Sequence, residues 1–400
     1  MKHATKHPKR FHVMPLAALA ALVLAAGCDD GANPVTATAP EADFSVVPAP
    51  QASNAAEPLR VMTRNMYLGG DIAIALAADY ENPVALVQAT NTVWSQVQNT
   101  RFQERVVALV DEIQAGNPHI IGIQELAKYV ILDGSFQPIG VQDHGALLMA
   151  EIQERGLPYE MAALHNNFEI TMPKAVDWGS GQVTEYIHFI LGVAVLVRSD
   201  VAILDVAQAN YQAAVPLPFG GEIGRGWIRV ETELGGLPYH FVNTHLEVQG
   251  FAPVQVAQTQ ELISGVLAGL EGMTILMGDL NSDAEAGPGD RSWTPTYDLL
   301  LEAGFQDAWR TANPGRPFRG YTCCQAAELG NPTSELDERI DFVLVRASSG
   351  PDGGQRLPGK VSVDIIGDRA SDLTAESGLW PSDHAGLLAT FRTPEAPFLK

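Results

Sequence analysis

Positive charge is scarce in this 400-residue chain: 25 lysines and arginines stand against 47 aspartates and glutamates, a formal net charge of −22. Four of those bases, Lys2, Lys6, Lys9 and Arg10, precede Cys28, so the remainder carries 21 basic against 47 acidic residues, or −26. Such a surface repels polyanions at a distance and argues against a processive nucleic-acid binder held by phosphate contacts. It leaves room for a nuclease whose site is neutralised locally by a metal ion. Cysteine is nearly absent too. Besides Cys28 there are only the adjacent Cys323 and Cys324, and no further thiolate or imidazole stands at a spacing that would complete a metal site with them. The apolar run from Leu16 to Leu24 is too short for a comfortable transmembrane helix. Neither a fixed-period repeat nor a second domain boundary is found.

The first 28 residues read as an export signal, with a basic start, that apolar core and small residues up to Cys28. Leu24-Ala25-Ala26-Gly27-Cys28 resembles a bacterial lipoprotein box, which implies cleavage before Cys28 and lipidation of its side chain. The protein is then expected to be exported and anchored through Cys28 to a membrane of a bacterial cell envelope; the alternative is an ordinary secreted protein cut nearby. Residues 29–58 are Ala, Pro, Thr, Ser and acidic residues with one aromatic, Phe44, and cannot bury enough apolar surface to fold. They read as a flexible tether. The folded domain is expected over 59–393, followed by a tail at 394–400.

Within that domain, apolar runs repeatedly stop on polar residues. Leu59–Asn65 reads as a strand ending on Asn65, His119–Glu125 as one ending on Glu125, and Tyr239–Leu246 as one carrying His245 at its polar end. Ile275-Leu276-Met277 stops at Gly278, after which Asp279 and Asn281 project from the strand's end. Ile340–Val345 opens on Asp341, and Asp383-His384 opens a last strand that runs to Phe391. Further strands are expected at Tyr159–His165, Val193–Val197, Val201–Val206 and Trp227–Glu233, and helices at 83–97, 101–114, 143–155, 254–270 and 296–303. Phe168–His188 reads as a turn-rich segment able to form a substrate-facing hairpin, and Ala213–Gly226 as a long loop. An Asp that can deprotonate a water, beside an Asn whose amide can hold it or a phosphate oxygen, suits hydrolysis of a phosphate ester. Any one of these polar strand ends has an ordinary structural explanation; six together point to a shared active edge.

Taken in order, Thr63-Arg64-Asn65, Ile123-Gln124-Glu125, Asn243-Thr244-His245-Leu246, Gly278-Asp279-Leu280-Asn281, Arg339-Ile340-Asp341-Phe342 and Ser382-Asp383-His384 resemble the endonuclease/exonuclease/phosphatase superfamily, the deoxyribonuclease-I-like fold. The resemblance spans Leu59 to Arg392. It implies an α+β fold, a four-layer α/β/β/α sandwich of two mixed β-sheets packed face to face with helices outside, and an active site at one edge of the sheets. It also implies Mg2+, or Mn2+ in its place, on Glu125 with help from Asn65; Asp279 aligning or deprotonating the attacking water; and Asn281 holding a phosphate oxygen. His384 would stabilise developing charge or move a proton, with Asp341 fixing its tautomer. His245 would be a second donor across the phosphate, and Asp383 a second metal ligand or an orienting group.

Tyr67 departs from the Asp that certain repair nucleases carry there, and Glu185, Tyr186 and His188 are the candidates for a partner to the second histidine. Arg225 and Arg229 are candidates to line the entrance. Cys323 and Cys324 have only each other, either as a vicinal disulfide or as two buried thiols. The acidic surface and the anchor put a lipid head group or small organophosphate ahead of nucleic acid as substrate of a monomeric hydrolase. A non-catalytic binding lipoprotein on a decayed copy of the fold is the rival from another class.

Overall fold

The structure, a computed structural model, describes residues 57–234, 237–315, 319–349, 355–356 and 360–392. The leader with Cys28, nearly all of the tether and the tail lie outside these residues. The first sheet holds β1 (Leu59–Asn65), β2 (Ile120–Asp133), β3 (Pro138–Asp143), β4 (Tyr159–Asp177), β5 (Gln182–Arg198), β12 (Lys360–Ile366) and β13 (Gly386–Arg392), in the order β12-β13-β1-β2-β5-β4 with β3 on β2. The second holds β6 (Ile203–Asn210), β7 (Gly226–Leu234), β8 (Leu237–His245), β9 (Met273–Asp279), β10 (Gln306–Asp307) and β11 (Asp341–Arg346), in the order β10-β11-β9-β8-β7-β6. Each sheet has one parallel pair at its centre, β1 with β2 and β8 with β9, among antiparallel neighbours. Both are therefore mixed, as the resemblance implies.

Val61, Ile120, Val193, Val195 and Val197 of the first sheet meet Ile228, Val230, Phe241, Ile275, Met277 and Val343 of the second in one buried core. The alternate side chains face outward and are covered as well. After α1 (Ala73–Leu76) and α2 (Pro83–Asn99), helices α3 (Phe102–Gly116) and α4 (His144–Glu154) pack Phe102, Leu109, Ile113 and Ile152 over Met62, Ile121 and Ile123. The π-turn Leu262–Val266, which continues α5 (Ala252–Glu261), and helix α6 (Thr296–Glu302) cover Val242, Leu276 and Phe342. Strands buried on both faces lose polar alternation, which is why β9 reads as an unbroken apolar run.

Four elements differ from expectation, the first being β2, which runs on to Asp133 beyond the Glu125 at which the expected strand ended. β4 and β5 are far longer than the short strands expected, because the Asn, Pro and Gly residues that read as turns sit at bulges, near Asn166, Pro173 and Ala175, that the ladder absorbs. The segment 168–188 is thus mostly regular hairpin, closed by an Asp177 turn in which Oδ1 accepts from Gly179 N. The helix expected over 254–270 ends at Glu261 and gives way to the π-turn, in a stretch that carries Gly265 and Gly269. Between Ala213 and Gly226 the loop holds a two-residue ribbon, Val215–Pro216 with Glu222–Ile223.

Candidate active site

Register does most of the assembly. His245 pairs with Asp279 across the parallel β8–β9 ladder, and Asp279 pairs with Asp341 across β9–β11, so three polar side chains end three neighbouring strands abreast. The turn after β9 depends on Gly278, whose φ of +147° would drive a Cβ to 2.0 Å from Thr244 O. In the first sheet, β1 delivers Asn65 opposite Gln124. Pairing of β2 with β5 then jumps from Ile123 to Leu126, and Glu125, in the bulge, has φ +54°. A bulge re-aims one side chain, and here it is that of Glu125. His384 arrives on the chain just before β13.

Asp279 is at the centre and 1% exposed. Its Oδ2 accepts from Asn65 Nδ2 (3.1 Å), its Oδ1 accepts from Asn281 N (2.9 Å), and Oδ2 lies 3.5 Å from His245 Nε2 and 3.8 Å from His384 Nε2. Burial, reinforced by the Asp341 carboxylate, pushes its pKa up to about 7. His384 Nδ1–H donates to Asp341 Oδ2 (2.8 Å), which leaves Nε2 turned to Asp279. Burial lowers the His384 pKa, but the carboxylates of Asp341, Asp383 and Asp279 outweigh it and hold the imidazole well above its usual value.

His245 has the opposite surroundings. Burial first, then Arg225 and His384, push its pKa well below the usual value, so it is neutral. The Arg225 guanidinium lies against its ring, Nη1 3.2 Å from Nδ1 and 3.4 Å from Nε2, and is fixed from behind by Glu247, with Nη2 donating to Oε1 (3.0 Å). Asn281 Nδ2 donates to Leu246 O (3.0 Å) and to His245 Nε2 (3.1 Å). Both amide protons that the resemblance assigns to a phosphate oxygen are thus directed at the protein here.

Two buried arginines stiffen the loops. Arg64 ties its guanidinium to Glu112 of α3 and donates to the His384 carbonyl. Arg105, also from α3, donates to the carbonyls of Met66, Tyr67, Thr100 and Pro381. Between the sheets, Asn243 accepts from Gln124 Nε2 (2.6 Å) and donates to the carbonyls of Ile123 and Ala194 (2.9 Å each), satisfying buried polar groups directly beneath the site.

The metal expectation can be tested on the donor set. Glu125 Oε2 accepts from Leu68 N (2.9 Å), Asn65 Oδ1 accepts from Tyr67 N (2.9 Å), and the remaining lone pairs of both are open to a cation. Asp383 has its pKa pushed up to about 6 by burial, with Glu125 and Asp341 adding to the rise and His384 and Arg105 opposing it. Asp341 Oδ1 is buried without a hydrogen-bond partner. Hard oxygen donors carrying uncompensated negative charge fit Mg2+ or Mn2+. Asp279, Asp341 and His384 also offer ligand atoms within 4.8 Å of one another, but Asp341 is hydrogen-bonded to His384, whose Nε2 faces Asp279 at 3.8 Å, the order of groups in a proton relay.

The structure therefore brings Asn65, His245, Asp279, Asn281, Asp341 and His384 into one buried cluster, with Asp383 and Glu125 beside it. Glu185, Tyr186 and His188 are not part of it: they lie on the hairpin against Lys174, Phe136 and Thr171. Arg225 does not line an entrance but is buried against His245, and Arg229 instead reaches Asp205. Glu247, two residues after His245, was not anticipated. A carboxylate two along from a site histidine points to the same face of an extended chain, which is the signal that was available.

Two mixed sheets in a four-layer sandwich, with carboxylates and imidazoles gathered at one edge, define a fold used by metal-dependent phosphodiesterases and nucleases. The chain belongs to the endonuclease/exonuclease/phosphatase family, whose model matches residues 93–384 and whose members hydrolyse phosphate esters, usually with divalent metals. Among solved structures it is similar to an endonuclease/exonuclease/phosphatase from Beutenbergia cavernae DSM 12333, with 21% identity, 86% of this chain and 73% of that one covered, and a TM-score of 0.50. A family protein from Leptotrichia buccalis C-1013-b matches at 15% identity over 84% of this chain and 99% of that one, TM-score 0.49. D. rerio TDP2 complexed with single strand DNA product matches at 16% over 84% and 99%, TM-score 0.48. Identities this low speak to the fold alone. No curated protein matches the chain.

Proposed function

We propose that the chain is a divalent-metal-dependent phosphodiesterase acting on phosphate esters presented at a lipid surface, anchored there through Cys28. The observation that carries hydrolysis is the Asp341–His384 pair facing Asp279, an acid and a base whose atoms lie 3.8 Å apart at one sheet edge. Asp279, with a pKa near 7, takes the proton of the attacking water. His384 gives its Nε2 proton to the phosphoryl or leaving oxygen while Asp341 holds the ring. His245 and Arg225 meet the phosphate from the other side. A divalent cation on Glu125, Asn65 and Asp383 would neutralise charge developing on the phosphoryl oxygens.

The lipid-surface reading rests on β2, β4 and β5, which run past the edge where Asn65 ends β1. From Leu126 to Asp133 the overrun is about 23 Å at ~3.3 Å per residue. Around its far turns Phe136, Ile139, Val141 and Trp178 stand 45–60% exposed on an otherwise acidic protein. Exposed aromatic and aliphatic side chains beyond a catalytic edge suit a neutral or zwitterionic interface. The test is hydrolysis by the chain, with Mg2+ or chelator, of sphingomyelin vesicles, plasmid DNA and an aryl phosphodiester, with Asp279→Ala as the blank. Metal-dependent turnover favouring the vesicles is expected. Preference for plasmid would make the chain a nuclease, and no turnover on any substrate would leave the decayed scaffold.

A further inference from the structure

In sequence, Cys323 and Cys324 have no third ligand near them; in the fold they have His384. The two sulfurs and an imidazole nitrogen of His384 all lie within 4.8 Å of one another, and the cysteines are joined to each other as a vicinal disulfide. The backbone, not the sulfur bond, sets this proximity. Cys323 N donates to Glu338 O (3.0 Å), its carbonyl accepts from Asp337 N (2.7 Å) and Glu338 N (2.9 Å), and on the other side Ala385 N donates to Thr322 O (2.7 Å) and Gln325 N to Asp383 O (2.7 Å). The Cys-Cys segment is thus a rung between the chain before β11 and the chain that carries His384. Breaking the sulfur bond would leave both thiols beside the imidazole, Cys323 buried and Cys324 exposed.

We propose that Cys323, Cys324 and His384 form a soft-metal site, closed while the cysteines are oxidised and opened by reduction, at which a thiophilic divalent cation such as Zn2+ or Cd2+ binds both thiolates and the imidazole. Thiolates select soft cations over Mg2+, and two sulfurs with one imidazole supply the three protein ligands of an open tetrahedral centre. A dithiol reductant delivers two electrons and two protons: the Cys323–Cys324 bond breaks, and the reductant closes to its own disulfide. The cation then displaces one proton from each thiol and one from the His384 imidazolium. Bound there, it takes His384 away from Asp279, so reduction in the presence of a soft metal switches hydrolysis off. The metal site stands independently of the active-site reading; its inhibitory consequence rests on it.

The full chain, oxidised or reduced with a dithiol that is then removed, is titrated with Cd2+ in saturating Mg2+ while thiolate-to-metal charge-transfer absorbance and hydrolysis are read together. Reduced protein is expected to bind one Cd2+ with a charge-transfer band and to lose hydrolysis about tenfold or more, and oxidised protein to do neither. Cys324→Ser should keep basal hydrolysis and lose the band. His384→Gln should weaken Cd2+ binding by more than about tenfold, the least that loss of even an outer partner costs a metal centre. A band of equal strength in Cys324→Ser, or none in the reduced chain, overturns the site. Inhibition that is equal in oxidised and reduced protein assigns the effect to the Mg2+ ligands and overturns it too. Absence of hydrolysis before any Cd2+ is added counts against the active-site reading, and the band alone then decides the metal site.

Discussion

His245 and His384 flank the same carboxylate, 3.5 and 3.8 Å from Asp279 Oδ2, yet their surroundings give them opposite charge. At His384 three carboxylates outweigh burial and keep the ring protonated; at His245 burial, reinforced by the guanidinium lying on it, keeps the ring neutral. Burial acts on both in the same direction and so cannot account for the difference. The sign of the nearest fixed charge does, and each such charge is held by a partner of its own, Asp341 by its place in the β11 ladder opposite Asp279 and Arg225 by Glu247. One imidazole is thereby equipped to give a proton, the other to accept a hydrogen bond or pack against an anion.

The largest effect is expected at the carboxylate that the two histidines share. Asp279→Asn keeps the shape and removes the base, and kcat is expected to fall by about 10²–10⁴-fold, measured on whichever phosphodiester is turned over best. On the His384 side, Asp341→Asn should cost about 100-fold in kcat with KM little changed, since the ring loses its orienting partner and not a substrate contact. An equal rise in KM would show that Asp341 holds the substrate.

On the His245 side the expected effect is smaller and takes the form of a pH shift. Arg225→Met removes a cation that lowers the His245 pKa, so the ring accepts a proton at higher pH than in the parent. If the neutral ring is the active form, the acid limb of the kcat/KM profile moves up in pH, with a loss of about tenfold at acidic pH and less above it. An unmoved limb would detach Arg225 from the state of His245.

A third buried imidazole serves as a control, because it lies outside the site. His144 stacks on Phe102 at 3.6 Å, and burial, with Arg105, holds its pKa well below 6.5. Below about pH 6.5 the unfolded chain takes up a proton there that the folded chain refuses. Its stability is whole above that pH and falls on acidification, by at most ~1.4 kcal/mol per pH unit for this one group. Thermal melts of His144→Phe between neutral and mildly acidic pH should show a shallower loss than the parent, with hydrolysis unchanged.

The residues legible in sequence were those whose position is set by the chain alone. An apolar run ending on Asp279 or Asn65 says where the side chain goes, because a strand delivers its terminal residues to the sheet edge. The sandwich itself came from the resemblance carried by the six strand-end motifs; the apolar runs alone mark strands buried on both faces and say nothing of how they layer. What stayed hidden depends on non-local pairing. Arg225 looks like any arginine beside Trp227 until β7 is laid next to β8 and brings it onto His245. The pairing of Cys323 with the chain around His384 is closed by hydrogen bonds across some sixty residues of sequence. The hairpin over 168–188 was legible but the length of its strands was not, for a local reason: turn-forming residues are tolerated inside a ladder when each falls at a bulge.

The bulge at Glu125 gives β2 a reading frame that changes in mid-strand. Before it, Ile120, Gly122 and Gln124 face the second sheet and Ile121 and Ile123 face the helices; after it, Leu126 packs with the helix-side cluster. The strand therefore counts one way up to the catalytic edge and the other way along the arm. Deletion of a single residue there would bring both stretches into one phase, turning Glu125 away from the site or moving every side chain from Leu126 to Asp133 to the opposite face. A change of length, with no change of chemistry, would do more damage at this point than most substitutions.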